Sequence, residues 1–184
     1  MNCSTQNSLL LNNLLKFYNK DDNMKKILPI INGESKISLR LIDWFATNYS
    51  KKHYTVYNIK DKTGRSNRFK VYIDYKLKLK AYSKKRFDPF CRWDRINIPY
   101  DNDSHIQTTI GQLNFFRWAL ENKIIDYIEN NFNDITKDMN KRNSTIKNRK
   151  KDSTSKTRKK REELSISASK TIKKEQIEIV VDFN

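Results

Sequence analysis

Apolar and polar residues alternate without interruption over residues 70–82. The apolar series is Val71, Ile73, Tyr75, Leu77, Leu79 and Ala81, and the series between them is Lys70, Tyr72, Asp74, Lys76, Lys78, Lys80 and Tyr82. Successive residues of a strand point to opposite faces, so the alternation predicts a half-buried β-strand with one lysine-rich face. Ammonium groups about 6.6 Å apart suit a polyanionic chain. A solvated face that prevents edge pairing is the alternative.

A second strand is expected just before this one. Residues 53–60 have strand character, and the polar loop 61–67 that follows contains a glycine and the basic residues Lys62 and Arg65. Two strands joined by a short glycine-containing loop predict a β-hairpin over about residues 53–82. A further strand is predicted at about residues 92–98, ending at a proline.

Helical spacing of apolar residues predicts three helices. The first covers residues 5–18, the second residues 35–51 with Ser35 as its cap, and the third residues 109–140. Thr109 and Gln112 form a capping-box pattern at the start of the third helix.

Asparagines and a proline predict interruptions. Asn130–Asn131 or Asn133 is expected to divide the long helix. Pro29 predicts an extended segment over residues 27–31, because proline disfavours a helix interior. Asn32–Gly33 predicts a turn.

These elements together predict an α+β fold with a single domain. A small antiparallel sheet (hairpin about 53–82 plus strand about 92–98) is expected to pack against helices at about 35–51 and 109–140. The predicted divisions are an N-terminal helix and extended lead-in (1–34), an α+β core (35–140), a disordered basic tail (141–174) and a strand-like C-terminal segment (175–184).

The C-terminal part of the chain differs in composition from the rest. Residues 141–174 contain fourteen basic and three acidic residues and no aromatic residue. Such a segment buries too little apolar surface to order itself, and it is typical of sequence-independent phosphate binding. Apolar residues then alternate from Ile177 to Phe183, which predicts a strand on the chain's own sheet or on a partner's.

The charge balance indicates a polyanionic partner. The chain of 184 residues has a formal net charge of +17, which favours nucleic acid first and an acidic membrane or acidic protein second. No apolar run is long enough to span a bilayer. The apolar Leu9–Leu11 follows no basic region, so neither a signal peptide nor a membrane partner is predicted.

The basic residues concentrate in residues 68–95, which hold ten basic and three acidic side chains. We expect the sheet face and the segment after it to follow a nucleic-acid backbone. The predicted phosphate contacts are Lys76, Lys78, Lys80, Lys84, Lys85, Arg86, Arg92 and Arg95. Aromatic residues are interleaved with them, and Tyr72, Tyr82 and Trp93 are predicted either to stack on bases or to pack inside the protein.

Motifs for catalysis or metal binding are scarce. Cys3 and Cys91 are far apart and the histidines His53 and His105 stand alone, so no metal, cofactor or disulfide is predicted. Three glycines in the whole chain argue against a phosphate-binding loop.

One pattern leaves an enzymatic alternative open. Asp74 and Lys76 on the predicted strand match the acid-x-lysine pair with which one class of nucleases holds magnesium. A second acid would have to share the metal, and Asp43, Asp88 and Asp94 are the candidates.

Three stretches resemble a protein family. Residues 37–49, 79–92 and 108–119, including Asp43-Trp44-Phe45 and Phe115-Phe116, resemble a small protein encoded by nucleocytoplasmic large DNA viruses, including mimivirus-like giants. The resemblance covers roughly residues 35–130. It implies a setting rather than an activity: the virion interior or a viral factory in the host cytoplasm, in preference to the host nucleus.

The sequence thus predicts a non-catalytic viral protein that associates with DNA or RNA independently of sequence. One alternative is a structural virion protein that contacts other viral proteins through the long helix, with its Phe115-Phe116-Trp118 cluster, or through the C-terminal strand. The other alternative is a metal-dependent nuclease.

Overall fold

Helices and short antiparallel strands follow one another in a computed structural model that describes residues 6–20, 22–60, 64–91, 93–101, 104–152 and 174–176. The predicted α+β class is confirmed. The elements are α1 (Gln6–Tyr18), α2 (Asn23–Asn32), α3 (Leu39–Trp44), a π-helical segment (Phe45–Tyr49), α4 (Ser50–Lys52), β1 (Val56–Lys60), β2 (Ser66–Lys70), α5 (Val71–Phe87), β3 (Arg95–Asp101), β4 (Ser104–Thr109), α6 (Ile110–Glu121), α7 (Ile124–Asn130), α8 (Phe132–Asp152) and β5 (Lys174–Gln176).

The strands of the described residues form separate sheets, not the single sheet that was predicted. β1 and β2 make an antiparallel hairpin in which Val56 pairs with Lys70 and Lys60 with Ser66. The predicted strand near 92–98 is β3, and it pairs with β4 instead of with the hairpin. β4 was not predicted.

The segment 71–82 is the main correction, because it is helical and not a strand. Val71 and Tyr75 are buried four residues apart, and Leu79 is partly buried one turn further on. These positions satisfy a helical period as well as an alternating one. Packing against α6 selects the helix and leaves Ile73 and Leu77 exposed. The leucines, lysines and alanine of this segment are also strong helix formers.

α2 corrects the extended segment that was predicted around Pro29. The proline lies inside the helix, where it costs about 3 kcal/mol. Burial of Met24, Ile27, Ile30 and Ile31 at helical spacing offsets this cost. The helix ends at Gly33, whose φ of 77° forms the predicted turn.

The caps and breaks of the other helices were predicted in part. Thr109 caps α6 as expected, since its Oγ1 accepts from the backbone N–H of Gln112. The cap of α3 is Ser38 and not Ser35. The long helix breaks at Asn131, as predicted, and also at Lys123, where a φ of 52° separates α6 from α7.

The core lies where α5 and α6 meet. The rings of Phe87 and Phe115 are 5.9 Å apart and those of Phe87 and Trp118 5.7 Å apart. Trp44 of α3 and Phe45 of the π-helical segment are also buried. Phe115, Phe116 and Trp118 are all buried inside this chain, so the cluster considered for contacts with other viral proteins fills the chain's own core.

The C-terminal elements revise the predicted tail. α8 continues to Asp152, so the tail's first residues are helical instead of disordered. β5 pairs antiparallel with β4, with Gln176 opposite Ser104, and thus extends the chain's own sheet. Residues 153–173 and the alternating segment 177–183 lie outside the described residues. The predicted domain divisions stay predictions.

Candidate nucleic-acid interface

The β1–β2 hairpin presents its basic residues on one face. Residues directly opposite each other in an antiparallel pair lie on the same side of the sheet. The register pairs Asn58 with Arg68 and places Lys60 and Lys70 on that same side. All four are exposed. Lysine and arginine side chains therefore form a solvent-facing row along the hairpin, with same-strand neighbours about 6.6 Å apart.

The other face of the hairpin fixes it to the helices. The ring of Tyr57 lies 5.5 Å from that of Phe69 and stacks at 5.0 Å on that of Tyr127. The Tyr57 hydroxyl donates to the backbone carbonyl of Asn122 at 2.7 Å. Burial, together with the nearby Tyr127 and Asp126, raises the pKa of Tyr57, so this hydroxyl stays protonated and keeps donating.

No acidic side chain offsets this charge within the described residues of the hairpin. Residues 56–60 and 64–70 include Lys60, Arg65, Arg68 and Lys70 but no aspartate or glutamate. The hairpin is thus a basic ribbon with an aromatic underside. The sequence predicted a lysine-rich strand with an apolar underside for residues 70–82 instead.

A shallow cleft adjoins the base of the hairpin. Its lining includes Lys51, Tyr54, Lys70, Tyr72 and Ile73, and its volume is about 30 Å³. The Lys51 ammonium lies 5.7 Å from the centre of the Tyr72 ring. The Tyr54 side chain is 65% exposed. The cleft therefore combines aromatic rings with cations at the edge of the basic row.

The exposed face of α5 continues this surface. Lys76 and Lys80 are one turn apart and both exposed. Ile73 and Leu77, exposed by 44% and 60%, lie on the same face. We call the combined set the hairpin surface; it consists of Lys51, Tyr54, Lys60, Arg68, Lys70, Tyr72, Lys76 and Lys80.

Other predicted phosphate contacts on α5 point elsewhere. Lys78 lies about 200° around the helix from both Lys76 and Lys80. The helix is interrupted at Ser83, which has a φ of 65° and a ψ of 165°. Lys84 and Lys85 follow this break, and the Lys85 ammonium lies 3.9 Å from the centre of the Trp93 ring. The predicted row of ammonium groups therefore does not exist along α5.

Two of the arginines predicted to contact phosphates make hydrogen bonds within the chain, and the third lies outside the described residues. Arg86 donates from Nε to Asn7 Oδ1 at 2.8 Å and from Nη1 to Gln6 Oε1 at 3.0 Å, which ties α1 to the end of α5. Arg95 donates to Gln107 Oε1 across β3 and β4 at 2.9 Å. Arg92 lies outside the described residues.

The predicted stacking residues divide between the surface and the protein interior. The Tyr82 ring is stacked on Phe87 at 6.1 Å and packs against the core. Trp93 is covered by a lysine, and only Tyr72 borders the cleft. Sequence reasoning missed Tyr54, because it placed this residue inside the strand predicted at residues 53–60.

Lys52 is withdrawn from the hairpin surface by an ion pair. Its ammonium donates to Asp138 Oδ1, and Trp44 Nε1 donates to Asp138 Oδ2 at 3.3 Å. Partial burial opposes ionisation of Asp138, but the hydrogen bond and charge of Lys52 outweigh it and lower the pKa of this carboxyl. His53 Nε2 lies 3.8 Å from Asp138 Oδ1.

The geometry separates the residues of the nuclease alternative. Asp74 Oδ1 accepts from Trp118 Nε1 at 2.6 Å, whereas Lys76 points about 200° away around the helix. Asp88 Oδ1 accepts from the backbone N–H of Phe90 at 2.9 Å. Among the described residues, no three histidine, cysteine or acidic side chains are placed to hold a metal ion. The acid-x-lysine pattern therefore lacks the shared strand face that it requires.

Two further predictions concern membranes and thiols. Every helix in the described part of the chain is too short or too polar to cross a membrane. The Cys91 thiol is free, and Cys3 lies outside the described residues.

Comparison with known proteins supports the predicted resemblance. A model described as a family of unknown function, DUF7197, matches residues 3–183. An uncharacterised protein, L507, of Acanthamoeba polyphaga mimivirus is 47% identical over 142 residues, which cover 74% of this chain and 54% of that protein. The chain thus spans about half the length of this relative. No solved structure matches the chain significantly.

Proposed function

We propose that this chain, which belongs to the DUF7197 family, associates with nucleic acid through the hairpin surface without catalysing a reaction on it. The observation that carries the proposal is the one-sided placement of Lys60, Arg68 and Lys70 on a hairpin with no acidic side chain among its described residues. Cations spaced along an exposed ribbon contact successive phosphates and release their counterions, which gives affinity without reading bases.

The composition supports the same function. A net charge of +17 attracts a polyanion from a distance. The residues after α8 are rich in lysine and arginine and would add sequence-independent affinity. The similarity to a giant-virus protein favours a setting in a virion or a cytoplasmic viral factory, where DNA and RNA are abundant.

Filter binding across a salt series tests the proposal. We expect the logarithm of affinity for a random-sequence duplex to fall linearly with the logarithm of salt, with a slope of about 0.9 per neutralised phosphate. Replacing Lys60, Arg68 and Lys70 by alanine should lower that slope by about 2–3.

A matched control removes the same charge elsewhere. Lys16, Lys26 and Lys137 are exposed lysines on α1, α2 and α8. Their triple alanine variant should keep nearly the full slope. Equal losses in both variants would show that net charge, and not the hairpin surface, determines binding. An affinity independent of salt would defeat the proposal altogether.

A further inference from the structure

Tyr54 occupies a backbone position that normally belongs to glycine. α4 ends at Lys52, and the backbone N–H of Thr55 donates to the carbonyl of Ser50 at 3.1 Å. This bond closes a Schellman turn, in which the residue before the donor adopts a left-handed conformation. Tyr54 is that residue, with a φ of 46°. Side chains other than glycine are strained there.

Burial does not compensate for the strain. The Tyr54 side chain is 65% exposed, more than any other large apolar or aromatic side chain that the structure describes as exposed. A glycine would complete the same turn without strain and would expose no aromatic ring. Asp22, Ser83 and Lys123 are also exposed with a positive φ, but of these four residues only Tyr54 presents an aromatic ring to solvent, which points to a role in binding.

The surroundings of Tyr54 indicate what it binds. Its side chain lines the cleft together with Tyr72, while Ile73 adds apolar surface. Lys51 and Lys70 line the same cleft and carry cations to its edge. A planar, partly apolar group attached to a phosphate chain matches both the rings and the lysines, and an unpaired nucleobase has this chemistry.

We propose that the cleft between Tyr54 and Tyr72 takes an unstacked base, so that the chain prefers single-stranded over double-stranded nucleic acid. This inference rests on the proposed function. Bases in a duplex stack on one another, so only a single strand offers a free base face to the Tyr54 ring. Lys51 and Lys70 then contact the phosphates on either side of that base.

Replacing Tyr54 separates stacking from folding. Tyr54→Gly removes the ring and relieves the backbone strain, so its thermal midpoint should equal or exceed that of the unmodified chain. Its affinity for a single-stranded oligonucleotide should fall roughly tenfold, the usual loss for one stacked base. Its affinity for a duplex of the same length should fall much less, because the stacked bases of a duplex offer no free face to the ring. Fluorescence anisotropy of labelled strands at fixed salt measures both affinities.

Two further variants complete the experiment with the full chain. Tyr54→Phe keeps a ring and should retain single-strand affinity, whereas the alanine variant of Lys60, Arg68 and Lys70 should weaken binding to both forms. Unchanged single-strand binding by Tyr54→Gly would overturn this inference while leaving the proposed function intact. A lower thermal midpoint for Tyr54→Gly would contradict the strain argument. Absence of binding to either form by the unmodified chain would overturn both proposals.

Discussion

The hairpin and α5 adjoin in the chain and are both rich in basic residues, but they present their charges differently. On the hairpin, register places Lys60, Arg68 and Lys70 on one side. On α5, the helical period directs Lys76 and Lys78 in different directions. The same residue types therefore make a continuous surface in one element and a dispersed charge in the other. The local secondary structure, more than the local charge, determines whether a basic segment presents its charges on one side.

The two elements also differ in how they are attached. α5 is held near its start by the bond from Trp118 to Asp74 and at its end by close backbone packing against Gly111. The hairpin is held by the aromatic contacts of Tyr57 and Phe69 on a single face. We therefore expect damage to the α5 contacts to destabilise the whole fold, and damage to the hairpin contacts to act locally.

The largest expected effect follows from Gly111→Ala. A Cβ atom there would lie 3.0 Å from the carbonyl oxygens of Lys85 and Asp88. Both are backbone atoms, so α6 must move away from the end of α5, at a cost of about 3 kcal/mol. Urea unfolding measures the loss. Gly33→Ala is the control, since no atom lies within 4 Å of its added carbon and only the strain of its positive φ, about 1 kcal/mol, is expected.

Phe69→Ala should break the attachment of the hairpin. Phe69 is half-buried between Tyr57 and Trp118, so its removal should cost about 2 kcal/mol. Amide hydrogen exchange should accelerate in β1 and β2 and stay slow in α5 and α6. Affinity for nucleic acid should fall as the basic row loses its order. Uniformly faster exchange would show that the hairpin and the helices unfold as one unit.

Asp74→Ala should cost about 1–2 kcal/mol. The buried indole N–H of Trp118 loses its charged acceptor and gains no other. Asp74→Asn keeps an oxygen at the same place and should recover most of the stability in thermal unfolding. This pair also addresses the nuclease alternative. Plasmid cleavage with magnesium that disappears in Asp74→Asn would restore a catalytic role for this residue.

The smallest expected effect concerns Asp138 and pH. The pKa of Asp138 is lowered in the folded chain, so its stabilising contribution is fully present above the unfolded pKa of about 4. That contribution is lost as the pH falls through the lower folded pKa. Asp138→Asn should lower the free energy of unfolding by about 1 kcal/mol at neutral pH. It should also make that free energy less dependent on pH over the acid range, as measured by a pH series of urea titrations.

The same substitution also bears on binding. Lys52 loses its ion-pair partner in Asp138→Asn and lies in the chain next to Lys51 of the hairpin surface. The salt slope for duplex binding should rise by up to about 1, the value for one added phosphate contact. An unchanged slope would place Lys52 outside the reach of the bound strand.

Local signals predicted much of the fold. Thr109 marked the start of α6 and Asn32–Gly33 marked a turn correctly, because capping and left-handed turns depend on a few neighbouring residues. The strand prediction for residues 71–82 was wrong because an alternating pattern of six apolar residues also contains a series with helical spacing. Only contact with α6 decides between a strand and a helix. β2 shows the converse. Its sequence, with Phe69 as its single aromatic residue, has little alternation, yet pairing with β1 makes it a strand.

A basic ribbon was predicted from the sequence, but for a different segment from the one that forms it. The expectation of a basic ribbon with an apolar underside describes the hairpin, while the residues named for it lie mainly on α5. Lys76, Lys80 and Tyr72 belong both to the contacts predicted from the sequence and to the hairpin surface. Tyr54 was missed because its exposure depends on the turn after α4, which no periodicity reveals.

The hydrogen atom in place of a side chain at Gly111 has an evolutionary consequence. Because α6 touches the backbone of residues 85–88 at that point, any side chain there requires the two segments to separate by a few tenths of an ångström. A family member that carries even alanine there must have acquired a compensating displacement or a shortened turn. We therefore expect residue 111 to vary less within DUF7197 than the exposed basic residues of the hairpin.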